Sequence, residues 1–102
     1  MAEWVRVTTV DQLHEGEPLL VTIEGEDVAL FRVGSEVFAL DDLCSHAAAS
    51  LSEGEQRRYC ITCPQHGGQF DIRSGRAIHF PAVSPVRSYP IRTEGKDILI
   101  QI

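Results

Sequence analysis

The sequence is short of the features that mark several common classes of protein. It has 3 cysteines among 102 residues, and no apolar run of the length needed to cross a bilayer. Three cysteines do not make a disulfide scaffold. No stretch keeps a long helical period of apolar residues, so a helical fold is not expected. The length allows one domain with its own core and leaves no room for a second.

Basic residues are also scarce. The chain has 9 Lys and Arg against 15 Asp and Glu, a net charge of -6. This balance argues against nucleic acid or an anionic membrane as a partner and permits steering toward a basic protein surface. We expect Asp41, Asp42, Glu53 and Glu55 to form an acidic patch. The start at Met1–Trp4 shows no basic leader with an apolar run, so we expect a soluble, cytoplasmic protein.

Short apolar or alternating runs separated by turn signals predict β-strands. Gly34-Ser35, for example, is a two-residue hairpin signal, and Val10–Leu13 suggests a short turn or a helical turn. The pattern predicts an all-β, antiparallel fold. The predicted strands are Trp4–Val7, Pro18–Ile23, Val28–Val33, Glu36–Leu40, Arg57–Thr62, Gln69–Asp71, Val86–Arg92 and Asp97–Ile102.

Two short motifs carry the chemistry. Cys44-Ser-His46 is followed, after sixteen intervening residues, by Cys63-Pro-Gln-His66-Gly67. Thiolate and imidazole ligands at such spacing indicate a transition-metal centre. A tetrahedral zinc would normally take two like ligands from each short loop and a helically spaced pair of His, and neither feature is present. The other possibility is a [2Fe-2S] cluster in which two His replace two Cys on one iron.

The sequence resembles the Rieske proteins. Their pattern of Cys-x-His, a gap, and Cys-x-x-His-Gly is matched by these motifs, and the runs Phe70–Gly75 and Pro81–Pro85 are also similar to the family. The resemblance implies a Rieske-like antiparallel β-sandwich as a single domain over 1–102. Base sheets would lie at about 1–40 and 86–102, with a small cluster-binding subdomain inserted at about 41–85. It also implies one [2Fe-2S] cluster held by Cys44, His46, Cys63 and His66.

The potential expected from this resemblance is low. High-potential family members have a disulfide between the ligand loops and hydroxyl donors to the cluster sulfurs. The matching positions here are Ala49 and Gln65 for the disulfide, and Gly68 and Phe70 for the donors. Because fewer hydrogen bonds leave the reduced cluster less stabilised, we expect a midpoint toward the low end of the roughly -150 to +300 mV Rieske range.

Such a protein resembles the ferredoxin component of bacterial aromatic-ring-hydroxylating dioxygenase systems. The resemblance implies a monomeric carrier of single electrons, with no catalytic residues of its own. Its partners would be a flavin-dependent ferredoxin reductase and a terminal oxygenase. The expected docking surface consists of Ser45, Ala47, Gln65, Gly67 and the loop Pro81–Pro85.

Other functions remain open from the sequence. The nearest is a small Rieske subunit of another oxidoreductase, of the nitrite reductase or arsenite oxidase type. A zinc-stabilised interaction module is a second, and an oxygenase in its own right is disfavoured by the chain length. Cys60 is expected to be a small buried hydrophobe, whereas His14 and His79 are expected to be surface residues.

Overall fold

The computed structural model describes residues 3–45, 48–65, 67–80, 82 and 84–102. Within these ranges the chain forms antiparallel sheets and no α-helix, which confirms the all-β prediction. No helix in the described part is long and apolar enough to cross a membrane. The strands are β1 Trp4–Thr9, β2 Leu19–Ile23, β3 Glu26–Val33, β4 Glu36–Asp41, β5 Glu55–Arg57, β6 Cys60–Thr62, β7 Gln69–Asp71, β8 Ala77–His79, β9 Ile91–Glu94 and β10 Asp97–Gln101; single turns of 3-10 helix lie at Val10–Gln12 and Leu51–Glu53.

The first sheet has the order β1-β10-β9 and joins the two ends of the chain. The β9–β10 hairpin closes at Gly95, whose φ of 62° suits glycine. The prediction of a strand over Val86–Arg92 was wrong, because β9 begins only at Ile91. Pro90 precedes it and has no N–H for a ladder. Between residues 86 and 90, Ser88 alone forms a β-bridge, to Leu40.

The second sheet is the meander β2-β3-β4. Its first turn, Glu24-Gly25, has positive φ at both residues, 50° and 83°, as a tight two-residue hairpin requires. Its second turn is the predicted Gly34-Ser35, where Val33 pairs with Glu36. One core cluster contains side chains from both the first and second sheets, so these sheets pack face to face: Leu13, Ile23, Val28, Leu30, Ala39, Tyr89, Ile98 and Ile100.

The third sheet, β5-β6-β7-β8, is built from three-residue strands. The predicted single strand over Arg57–Thr62 was wrong: the chain reverses at Arg58-Tyr59, where Arg57 pairs with Cys60. Arg58 adopts a φ of 53°, and the sequence there has neither Gly nor Asn to signal a turn. β8 was not predicted. Our division of the chain into base segments and an insert at about 41–85 stays a prediction.

A second core lies between the third sheet and the opposite face of β3 and β4. Along β3, Val28 and Leu30 belong to the first core, whereas Ala29 and Phe31 belong to the second. Because alternate side chains of a strand point to opposite faces, β3 is a wall shared by both cores. The second core consists of Ala29, Phe31, Leu40, Cys44, Leu51, Ile61, Cys63, Phe70, Ile72, Ala82 and Val86.

A buried amide ties the third sheet to the second. Gln56, on β5, is only 8% exposed, and its Nε2 donates to the carbonyl oxygens of Arg32 (2.9 Å) and Arg58 (3.2 Å). Its Oε1 accepts from the N–H of Gly16 at 3.3 Å. Since every polar atom of this amide has a partner, its burial costs little, and the orientation of β5 on β3 is specified.

Candidate metal centre

The first candidate ligand loop begins where β4 ends. Leu43 and Ser50 form an isolated antiparallel bridge, and the N–H of Cys44 donates to the carbonyl of Ala49 at 2.9 Å. These contacts close the loop at its base and leave Cys44 buried, 4% exposed. Residues 43–45 and 48–50, the described part of this loop, form no helix. His46 and Ala47 lie outside the described residues.

Asp42 holds the C-terminal part of this loop through two hydrogen bonds. It is 2% exposed, and its Oδ1 accepts from the N–H of Ser52 at 2.8 Å, while its carbonyl accepts from the N–H of Leu51 at 2.7 Å. A buried carboxylate that accepts a backbone N–H specifies where the following 3-10 turn starts. Nothing in the spacing of Asp42 and Ser52 signals this contact, and it was not predicted.

The predicted acidic patch was therefore wrong for two of its four members. Asp42 is buried, and Asp41 is half-buried with its Oδ1 accepting from the Tyr89 hydroxyl at 2.5 Å. Burial, together with that hydrogen bond, raises the pKa of Tyr89 to about 12. Glu53 and Glu55 are both exposed. Both Asp side chains hold the structure at the end of β4 instead of facing a partner.

The second candidate ligand loop connects β6 to β7. The N–H of Cys63 donates to the carbonyl of Gly68 at 2.7 Å, and the Cys63 side chain is 1% exposed. Gly67 has a φ of 74°, so a glycine is required at this point of the turn. Pro64 and Gln65 are exposed. His66 lies outside the described residues.

A third loop, which follows β8, contacts the first ligand loop. The N–H of Ala82 donates to the carbonyl of His79 at 3.1 Å, and the Ser45 hydroxyl donates to the carbonyl of Ser84 at 2.6 Å. Ala82 is buried in the same core as both cysteines. Pro81 and Val83, which belong to the Pro81–Pro85 loop of the expected docking surface, lie outside the described residues. The described contacts bring the three loops to one end of the third sheet.

The donors that the structure describes fit an iron–sulfur cluster. Cys44 and Cys63 come from two separate loops and share one apolar core, where a thiolate ligand is protected from water. Within the described residues no three His, Cys, Asp or Glu side chains converge, and only two of the four predicted ligands are among them. The complete ligand set, Cys44, His46, Cys63 and His66, stays a prediction.

Cys60 differs from the two candidate ligands. It is half-buried on β6 rather than fully buried as predicted, and burial raises the pKa of its thiol. Residues three apart on an extended chain point to opposite faces, and Cys63 belongs to the second core whereas Cys60 does not. The Cys-x-x-Cys spacing is therefore no dithiol site. His14 and His79 are exposed, as predicted.

Comparison with known proteins identifies the family of this chain. The family model of the Rieske [2Fe-2S] domain matches residues 3–90. The chain is 45% identical to the anthranilate 1,2-dioxygenase ferredoxin subunit of Burkholderia cepacia, over 90% of this chain and 85% of that protein. It superposes on the ferredoxin of carbazole 1,9a-dioxygenase from Nocardioides aromaticivorans IC177 with a TM-score of 0.92 at 41% identity, covering 95% of both chains.

A third similar structure is a complex. It is that of reduced oxygenase and oxidized ferredoxin in carbazole 1,9a-dioxygenase, which this chain matches with a TM-score of 0.90 at 30% identity, over 95% of this chain and 91% of that one. The family resemblance drawn from the motifs is thereby confirmed, as is the expectation of one cluster. The chain belongs to the Rieske [2Fe-2S] domain family, and its cofactor is a single cluster of that type.

Proposed function

We propose that this chain is the ferredoxin of an aromatic-ring dioxygenase system. It carries single electrons to a terminal oxygenase and catalyses no reaction itself. The observation that carries the proposal is the burial of Cys44 and Cys63 in one core at the ends of two closed loops. Ferredoxin components of dioxygenase systems match nearly the whole chain, which supports the same function.

We assign the cluster ligands to Cys44, His46, Cys63 and His66. When bound, the cluster supplies a reversible one-electron centre. The protein holds both thiolates away from water and closes each loop with a backbone hydrogen bond. The described residues beside the two His in sequence, Ser45 and Gln65, are exposed, although both cysteines are buried. Ligand loops that combine a buried base with exposed flanks suit electron exchange with another protein.

The finer parts of the proposal concern the partners and the setting. The electron donor is a flavin-dependent reductase, and the ferredoxin acts as a cytoplasmic monomer. A carrier that must meet a donor and an acceptor in turn needs the end that bears its cluster to be accessible. Permanent association of two copies through that end would block both encounters.

The proposal is tested by reconstitution. The chain is purified without oxygen and mixed with a flavin-dependent reductase, a terminal oxygenase and an aromatic substrate, and product is measured with and without the ferredoxin. We expect product only when the ferredoxin is present. Oxygenase turnover that does not depend on this chain would contradict the proposal.

Histidine variants test the ligand assignment with a matched control. His46→Ala should remove the visible absorption and the iron, because a ligand is lost. His79→Ala changes an exposed imidazole outside both ligand loops and should leave colour, iron content and electron transfer unchanged. A coloured, electron-carrying His46→Ala variant would refute the assignment.

A further inference from the structure

The loops at the cluster end lie in the three longest stretches of the sequence without a charged side chain. The stretches 43–52, 59–70 and 77–86 contain no Asp, Glu, Lys or Arg, although charged residues make up 24% of the sequence. These stretches include the two candidate ligand loops, whose cysteines share the second core, and the third loop, which the Ser45–Ser84 hydrogen bond joins to the first. The net charge of -6 is therefore carried by other parts of the surface.

Large apolar side chains are exposed beside these loops. Leu43 is 64% exposed and Phe80 is 77% exposed, and each lies within four residues of the Ser45–Ser84 hydrogen bond along the chain. Isolated exposed hydrophobic residues are common on protein surfaces. Two exposed apolar side chains at the edge of an uncharged surface indicate a docking interface, because such an interface typically has few charged residues and an aromatic anchor at its core.

The ion pairs of the described residues lie outside these three stretches. Arg57 pairs with Glu55 (2.7 Å), and Arg73 pairs with Asp71 (3.1 Å). Arg57 and Asp71 are both in register with Cys60, at the end of the third sheet away from Cys63. Glu55 is in register with Thr62, next to Cys63, so this exposed carboxylate borders the three stretches without belonging to them. The three stretches themselves therefore contain no Asp, Glu, Lys or Arg side chain that could form an ion pair with a partner.

We propose that this chain docks on its terminal oxygenase through an uncharged rim formed by Leu43, Ser45, Gln65, Gly67 and Phe80. Leu43 and Phe80 are its apolar anchors, and the facing surface of the oxygenase is apolar and uncharged. The inference rests on the proposed function. An oxygenase is the chosen partner because a similar ferredoxin is known in complex with one. A charged partner face would lose its hydration on this rim without gaining a counter-charge.

The test uses the holo-ferredoxin and the oxygenase of the same system. Leu43→Ser and Phe80→Ser should each raise the dissociation constant, and the KM for ferredoxin in oxygenase turnover, about tenfold. The matched control is Leu20→Ser, a large apolar residue 45% exposed on β2, which should change both by less than about twofold. Phe80→Leu should restore most of the affinity. Unchanged visible spectra establish that the variants keep their cluster.

Salt dependence is the second measurement. Raising NaCl from about 0.1 to 0.5 M, where distant charges are already largely screened, should change the dissociation constant less than about threefold. A steep loss of affinity would overturn the proposal, as would Leu43 and Phe80 variants that behave like Leu20→Ser. Weakened binding to the reductase alone would overturn the choice of the oxygenase. If the unsubstituted chain passed no electrons to any oxygenase, the proposed function would fail first.

Discussion

Gly75 offers a sharp test of how the third loop is held. It follows β7 in the turn before β8, with a φ of 82°, and its carbonyl accepts from the N–H of Val86 at 2.9 Å. A Cβ at this position would lie 2.1 Å from the carbonyl oxygen of Val86 and 3.4 Å from Cδ2 of Leu40. Gly75→Ala should therefore be destabilised both by the positive φ and by a steric clash with the Val86 carbonyl oxygen.

The loss of stability expected for Gly75→Ala is estimated by comparison with Gly16. Gly16 has nearly the same φ, 85°, and no atom lies within 4 Å of the position that a Cβ would take there. Gly16→Ala should cost only the left-handed backbone term, about 1–2 kcal/mol. In Gly75→Ala the Val86 carbonyl must also retreat by about 1 Å, which disturbs a hydrogen bond and a packed core. We expect a further loss of about 2–3 kcal/mol.

Urea unfolding of both variants, followed by far-ultraviolet circular dichroism under anaerobic conditions, measures this difference. With a slope of about 1–3 kcal/mol/M, the midpoint of Gly75→Ala should lie about 1 M or more below that of Gly16→Ala. Val86 follows the loop that contacts the first ligand loop, so the visible band of Gly75→Ala should also bleach at lower urea. Equal midpoints for the two variants would refute the steric reasoning.

Three other predictions concern the cysteines, the potential and alkaline stability. Cys63→Ala should abolish the visible spectrum and bound iron, whereas Cys60→Ala should retain both; iron analysis distinguishes them, and loss in both would contradict the assignment. Redox titration should place the midpoint potential at the low end of the Rieske range, and a clearly positive wild-type midpoint would refute that expectation. Phe70→Tyr, at the position that the resemblance gives to a hydroxyl donor, should raise the midpoint by roughly 40 mV. Because the pKa of Tyr89 is raised to about 12 in the fold, its contribution is complete below pH 10 and is lost as pH rises through 12. The urea midpoint should fall less steeply with pH across that range in Tyr89→Phe than in the unsubstituted protein. The same fall in both proteins would show that Tyr89 does not cause the alkaline loss of stability.

The parts of the fold that could be predicted are those encoded locally. The hairpins of the second sheet are marked by Gly25 and Gly34, which supply positive φ in two-residue turns. The candidate ligand loops are marked by the spacing of Cys and His, which no common turn requires. In each case the residues that determine the structure are within a few positions of one another.

The parts that could not be predicted depend on distant contacts. The turn at Arg58-Tyr59 contains no turn-forming residue and is held from elsewhere. The Tyr59 hydroxyl donates to Glu36 at 2.5 Å, the Arg73 guanidinium lies 4.4 Å from the Tyr59 ring centroid, and the Tyr59 carbonyl accepts from the N–H of Ile72 at 2.8 Å. Tertiary contacts therefore compensate for weak local preference.

The same explanation applies to the acidic residues near the first loop. Their sequence position predicts a charged surface near the cysteines, but the structure buries Asp42 under the 3-10 turn and uses Asp41 as an acceptor for Tyr89. A sequence shows where a carboxylate occurs along the chain and not which backbone N–H or hydroxyl will reach it. Only Glu53 and Glu55 of the four are exposed, so the structure leaves less negative charge beside the first loop than the sequence predicts.

β3 explains why the sheets without ligands still matter to the cluster end. Its apolar run Val28–Phe31 has no polar face, since one side packs between the first two sheets and the other side packs on the core that contains Cys44 and Cys63. Any rearrangement of β3 must therefore disturb both cores. Cys44 and Cys63 therefore pack on a sheet that contributes no ligand, and the outer surface of their loops is left available for a partner.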